Sequence, residues 1–134
     1  MNNTIIIFDL DDTLVNSKMK IPRQTYHMLN YFKKKNYLIG VISYNCMVQL
    51  VAKETNLNKY TDYIFYKDTN RDILFDTCVN QMKKDYDLSS ETQIYYMDDR
   101  LDNLQAVAEK NPNVIPFHCC NMYKLHTCKQ CLEL

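Results

Sequence analysis

Short apolar runs that do not alternate with polar residues limit what this chain can fold into. Ile5-Ile6-Ile7-Phe8, Tyr37-Leu38-Ile39-Gly40-Val41-Ile42, Tyr63-Ile64-Phe65-Tyr66 and Ile94-Tyr95-Tyr96-Met97 have no solvent face in their pattern. Runs of this length and composition read as strands buried on both sides, which is the environment of a parallel sheet covered by helices. Val114-Ile115-Pro116-Phe117 reads as a fifth strand, and its proline suits an edge position.

The segments between these runs carry helical spacing. Pro22 suits the first turn of a helix in which Tyr26, Met28, Leu29, Tyr31 and Phe32 face inward. That helix closes on Lys33-Lys34-Lys35, cations suited to a helix C-terminus. Asn45 is a candidate N-cap for a second helix, with Cys46, Met47, Leu50 and Val51 inward. A third runs from about Asn70 to Tyr86, burying Ile73, Leu74, Cys78, Val79 and Met82. A fourth passes through Leu101, Leu104, Val107 and Ala108 before Pro112 ends it. Five strands alternating with four helices predict a single three-layer, doubly wound Rossmann-like α/β domain with a mainly parallel five-stranded sheet. The predicted domain covers residues 1–118, followed by a Cys-rich tail over 119–134.

At 134 residues the chain is the size of one domain, able to bury about 65–70% of its unfolded surface. Its 16 basic and 16 acidic residues balance, so net charge points neither to nucleic acid nor to an acidic membrane surface. Gly40 is the only glycine, which removes the glycine-rich phosphate loop and the dinucleotide fingerprint. The N-terminus enters the first strand without a signal-peptide pattern, and no apolar run reaches the roughly 20 residues a membrane span needs. The chain therefore reads as soluble and cytoplasmic, a compartment that argues against a disulfide framework for its six cysteines. Cys46 and Cys78 are expected to be small buried apolar residues within helices.

Four strands end in polar or charged residues: Asp9, Ser43, Lys67 and Asp98, with Asp11 and Asp99 close by. In a parallel sheet all strand C-termini share one edge, the edge where ligands bind. Two carboxylates 4 Å apart repel by up to about 4 kcal/mol at an effective dielectric of 20. Lys67 alone is too little to balance four of them, and a hard divalent cation would supply the rest. All-oxygen ligands favour Mg²⁺ over zinc or copper. Such an ion beside a lysine and a hydroxyl suits a phosphoryl group. One aspartate could act there as nucleophile and another, two residues on, as the proton donor and acceptor.

The pattern Asp9-x-Asp11-x-Thr13-Leu14 after a buried strand, then Ser43, Lys67 and Asp98-Asp99, resembles the haloacid dehalogenase superfamily of phosphotransferases over roughly Ile5 to Phe117. The resemblance implies that Asp9 is the nucleophile, forming an aspartyl-phosphate, and that Asp11 is the general acid/base and lends Mg²⁺ its backbone carbonyl. It implies that Thr13 supports the loop, Ser43 binds phosphoryl oxygens and Lys67 balances charge at Asp9 and the phosphate. Asp98 would bind Mg²⁺ together with Asp9, with Asp99 behind it. Asp12 would point to solvent, and Asp102 would serve a helix start. Only roughly thirty residues separate Asp9 from Ser43, whereas an inserted cap domain needs about 50 or more. The resemblance is therefore to a capless phosphatase with an open site. Lys67-x-x-x-Arg71 and Asp98-Asp99-Arg100-x-x-Asn103 are most similar to the magnesium-dependent phosphatase-1 type. That type implies phosphotyrosine (protein) or sugar-phosphate substrates. Two features depart from it: no glycine follows the last strand, and Tyr44 stands where a basic residue would follow Ser43.

A capless polynucleotide 3′-phosphatase is an alternative, disfavoured by the neutral charge and the lack of a base-stacking platform. A catalytically silent binding domain is another, disfavoured by the intact Asp9 and Asp11. The tail, His118-Cys119-Cys120 through His126-x-Cys128-x-x-Cys131, has metal-ligand chemistry. The intervals before Cys128 match no standard zinc-finger spacing, and a reduced tail is the expectation. Oligomeric state is not legible in the sequence.

Overall fold

The computed structural model describes residues 4–119. In chain order these form β1 (Thr4–Asp9), α1 (Arg23–Lys34), β2 (Leu38–Ser43), α2 (Val48–Glu54), a 3-10 turn (Leu57–Lys59) and β3 (Tyr63–Tyr66). There follow α3 (Arg71–Tyr86), β4 (Gln93–Asp98), α4 (Leu101–Lys110) and β5 (Val114–His118). The sheet runs β3-β2-β1-β4-β5 with every pairing parallel, which is the doubly wound α/β architecture the apolar runs predict. β5 is an edge strand and carries Pro116, where a missing donor costs no ladder bond on the open side.

β1 lies at the centre of the sheet, and all six of its residues are buried. Its side chains alternate between two cores, as the period of two in a strand requires. Ile6 and Phe8 pack with Met28, Leu29 and Phe32 of α1 and with Val48, Val51 and Ala52 of α2. Ile5 and Ile7 pack with Leu74, Phe75, Cys78, Val79 and Met82 of α3 and with Leu104 and Val107 of α4. The sheet is thus the middle of three layers. Gly40 lets α3 approach β2 closely, because a Cβ there would lie 2.8 Å from Ile7 Cδ1 and 3.1 Å from both Cys78 Sγ and Met82 Sδ.

Several residues expected inside are exposed. Tyr31 lies off the buried stripe of α1, which is Thr25, Met28, Leu29 and Phe32, and covers the Lys35 ammonium instead. α2 starts later than its candidate cap. The Ser43 hydroxyl accepts the Asn45 N–H, and the Asn45 side chain accepts the Met47 N–H, making a turn of residues 44–47. The helix then takes its phase from Val48, Val51 and Ala52, leaving Cys46, Met47 and Leu50 exposed. Ile73 and Leu101 are also exposed. Cys78 is buried as expected. Cys119 is buried beside β5, and its N–H donates to the Asp98 carbonyl. The remaining tail, with Cys120, His126, Cys128 and Cys131, lies outside the described residues. No helix among the described residues is long and apolar enough to cross a membrane.

Candidate active site

The sheet brings Asp9, Ser43 and Asp98, the last residues of β1, β2 and β4, to one edge. Beyond Asp9 the chain wraps tightly around one carbonyl, Leu10 O, which accepts the N–H groups of Thr13, Leu14 and Val15 at 2.9–3.3 Å. Leu10, Leu14 and Val15 are fully buried and anchor this loop to the core. Asp12 takes the left-handed conformation (φ 61°) and is exposed at the turn, which Asp tolerates better than most residues. The same winding buries Thr13, whose hydroxyl donates to Asp9 Oδ2 at 3.3 Å. Asp11 is half-buried, with Asn45 Nδ2 at 3.5 Å from its Oδ1.

The cation in contact with Asp9 is Arg71, at the first position of α3. Its Nη2 donates to Asp9 Oδ1 at 3.1 Å, and its Nη1 donates to the Ile42 carbonyl at 3.2 Å. Its Nε lies 4.0 Å from Asp98 Oδ2, beyond hydrogen-bond reach, and is a buried donor without a partner. The Tyr44 ring covers the guanidinium, with the arginine carbon 4.3 Å from the ring centroid. Burial works against the charge on Arg71, but Tyr96, Asp9 and Asp98 together hold its pKa above the ordinary value.

Asp98 is fully buried and surrounded by donors. Tyr96 OH and Asn103 Nδ2 donate to its Oδ2, and the Arg100 N–H donates to its Oδ1 at 2.9 Å. Asp9, Asp98 and Asp99 each place a carboxylate oxygen so that all three lie within 4.8 Å of one another. Burial, and after it the charge of Asp98, pushes Asp9 up to about 8 against the pull of Arg71. Burial likewise raises Asp98 and the half-buried Asp11. Three carboxylates against one guanidinium leave a net negative pocket of oxygen donors. That donor set fits a hard divalent cation, which would supply the missing charge.

Of the residues singled out from the sequence, Asp9, Thr13, Ser43 and Asp98 are buried around this edge, and Asp11 and Asp99 line it half-buried. Lys67 follows β3 on the same edge but is exposed, and no hydrogen bond or ion pair joins it to Asp9. Asp12 is exposed, and Asp102 stands in the first turn of α4, paired with Arg100. Sequence reasoning quoted Arg71 and Asn103 only as parts of the resembling pattern, without a role as partners of the acids, and missed Tyr96 in that role. The available signal for Arg71 was its place at the start of α3, where a side chain can turn back to the sheet edge.

A family model described as haloacid dehalogenase-like hydrolase matches residues 6–64. No curated protein matches the chain. Among solved structures, the cobalt-bound deoxy-D-mannose-octulosonate 8-phosphate phosphatase of Haemophilus influenzae superposes with a TM-score of 0.57 at 13% identity. That match covers 80% of this chain and 64% of the other. The D,D-heptose 1,7-bisphosphate phosphatase of B. bronchiseptica, complexed with magnesium and phosphate, gives 0.62 at 12% identity, covering 86% and 79%. The 3-deoxy-D-manno-octulosonate 8-phosphate phosphatase of Moraxella catarrhalis, in complex with magnesium, phosphate and its sugar, gives 0.52 at 21%, covering 79% and 63%. The chain thus spans under two thirds of the length of two of these three relatives. Residues 6–64 are thus similar to haloacid dehalogenase-like hydrolases, and the chain shares the fold of these phosphatases.

Proposed function

We propose that this chain is a magnesium-dependent phosphatase that hydrolyses phosphomonoesters through an aspartyl-phosphate on Asp9. The observation that carries the reading is the trio Asp9, Asp98 and Asp99 with Arg71 against Asp9, at the ligand-binding edge of the sheet. Asp9, Asp98 and Asp99 would hold the ion, with the Asp11 backbone carbonyl added as the family resemblance implies. When bound, Mg²⁺ supplies positive charge for the carboxylates and for the oxygens of the transferring phosphoryl group.

The chain's own residues do the rest. Thr13 and Arg71 each occupy one oxygen of Asp9, fixing the plane of its carboxylate for in-line attack on phosphorus. The P–O bond to the leaving group breaks as the Asp9–P bond forms. Asp11, whose pKa burial raises, is the group to give a proton to the leaving oxygen. It then takes a proton from the water that attacks the acyl phosphate, releasing phosphate and restoring Asp9. The Ser43 hydroxyl, at the end of β2, and the Thr13 loop border the phosphoryl oxygens. Lys67, exposed on the same rim, meets the charge of the incoming phosphate. Among the described residues only α1 lies between β1 and β2, and only α2 and the short 3-10 turn between β2 and β3. These short connections support reading the site as capless and open. Small-molecule phosphates are the favoured substrates, as for the sugar-phosphate phosphatases that share the fold.

Hydrolysis of para-nitrophenyl phosphate tests the reading. Turnover should require Mg²⁺, stop on adding EDTA and be lost in Asp9→Asn. Turnover indifferent to both would overturn it, and none under any condition would favour a binding domain.

A further inference from the structure

Arg71 is held in place by fewer hydrogen bonds than its burial calls for. The residue is only 6% exposed, yet of its five N–H donors one reaches Asp9 and one reaches the Ile42 carbonyl. Nε has no hydrogen-bond partner among the described residues. Two bonds at one end of the fork leave the guanidinium free to tilt about the line joining them. Asp98, 4.0 Å from Nε, attracts the charge without a hydrogen bond, so packing on the face of the plane is what resists that tilt. Tyr44, itself 43% exposed, supplies that packing, with its ring centroid 4.3 Å from the central carbon. The backbone that carries the ring is fixed, because Tyr44 directly follows Ser43, whose buried hydroxyl accepts the Asn45 N–H and starts the turn there.

We propose that Tyr44 is a positioning residue. Its ring, stacked on the guanidinium, keeps Arg71 in the plane between Asp9 and Asp98, so that its unused donors face the oxygens of an arriving phosphoryl group. The inference rests on the phosphatase reading and adds to it a residue that touches neither substrate nor metal. It is the face of the ring that acts, so phenylalanine should replace it and an aliphatic side chain should not.

The test uses the full chain with Mg²⁺ and para-nitrophenyl phosphate. A cation–π contact of this kind corresponds to a loss of about ten-fold in kcat for Tyr44→Leu, with KM moving less. Tyr44→Phe should restore activity to within about two-fold. In an Arg71→Lys background the ammonium keeps a cation–π attraction but has no plane to orient, so Tyr44→Leu should then cost clearly less than in the arginine chain. A second readout is independent of turnover: inorganic phosphate should raise the melting temperature of the wild type and of Tyr44→Phe, and do so less for Tyr44→Leu. An active wild type with an indifferent Tyr44→Leu, an equal loss in the Arg71→Lys background, or a Tyr44→Phe as impaired as Tyr44→Leu would overturn this inference alone. A wild type with neither magnesium-dependent turnover nor phosphate stabilisation would overturn it together with the phosphatase reading.

Discussion

Asp9 and Asp11 lie two residues apart and differ in what surrounds them. Asp9 is enclosed, with both oxygens engaged by Thr13 and Arg71, and is the proposed nucleophile. Asp11 is half-buried, with its pKa raised and one long contact to Asn45, and is the proposed proton donor and acceptor. Asp11→Asn should lower turnover of an alkyl phosphate about 10²–10⁴-fold, the range of general acid–base catalysis. Its effect on the first step with para-nitrophenyl phosphate should be far smaller, since nitrophenolate leaves without a proton. The cation can be assigned in the same way. Arg71→Ala should reduce kcat/KM at least about a hundred-fold, as loss of a buried charge pair and a phosphoryl donor would. Lys67→Ala, at the exposed rim, should cost only a few-fold by the standard of exposed charges. Steady-state kinetics on the pair decides between them, and the reverse order would return the role to Lys67.

The strands were the most legible elements, because an apolar run buried on both faces has little alternative to a parallel sheet. The ends of β1, β2, β3 and β4 were readable from where a polar residue interrupts each run. Helix phase was read less well. In α2 the Ser43 and Asn45 side chains bond to nearby N–H groups and delay the helix to Val48, a local competition that apolar spacing does not report. Arg71 was hidden for a related reason. Its contact with Asp9 depends on a helix start turning back over the sheet, a tertiary relation, whereas strand register alone points to Lys67. Two predictions belong to this scale. Gly40→Ala should destabilise the chain by about 1–2 kcal/mol, the lower part of the overpacking range, since the atoms it meets are side-chain ends. Urea unfolding checks this, and an unchanged midpoint would mean that α3 does not press on β2 there. Alkylation of the folded chain should modify the exposed Cys46 and spare Cys78, whose thiol burial pushes up to about 12. Peptide mass mapping reads the outcome.

For the molecule as a whole, the acidic edge is a local cost that the rest of the fold carries. Without metal, Asp9 sits at about 8 in the folded chain and at an ordinary carboxylate value, about 4, in the unfolded one. Across that window the folded chain holds the more protons, so stability falls as pH rises from about 4 to about 8. Mg²⁺ favours the ionised carboxylates and should restore more stability at the upper end than at the lower. Urea midpoints measured in EDTA and in Mg²⁺ should therefore diverge with rising pH, and Asp9→Asn should reduce the divergence. Curves that stay parallel would contradict the assignment of the metal to these carboxylates. The central claim, that Asp9 carries the phosphoryl group, is tested most directly by quenching Asp11→Asn after mixing with Mg²⁺ and para-nitrophenyl phosphate. The variant should release one nitrophenolate per chain in a burst and then stall, with phosphate found by mass on the peptide bearing Asp9. Steady release with no phosphate on that peptide, or the same burst in a chain that also carries Asp9→Asn, would contradict it.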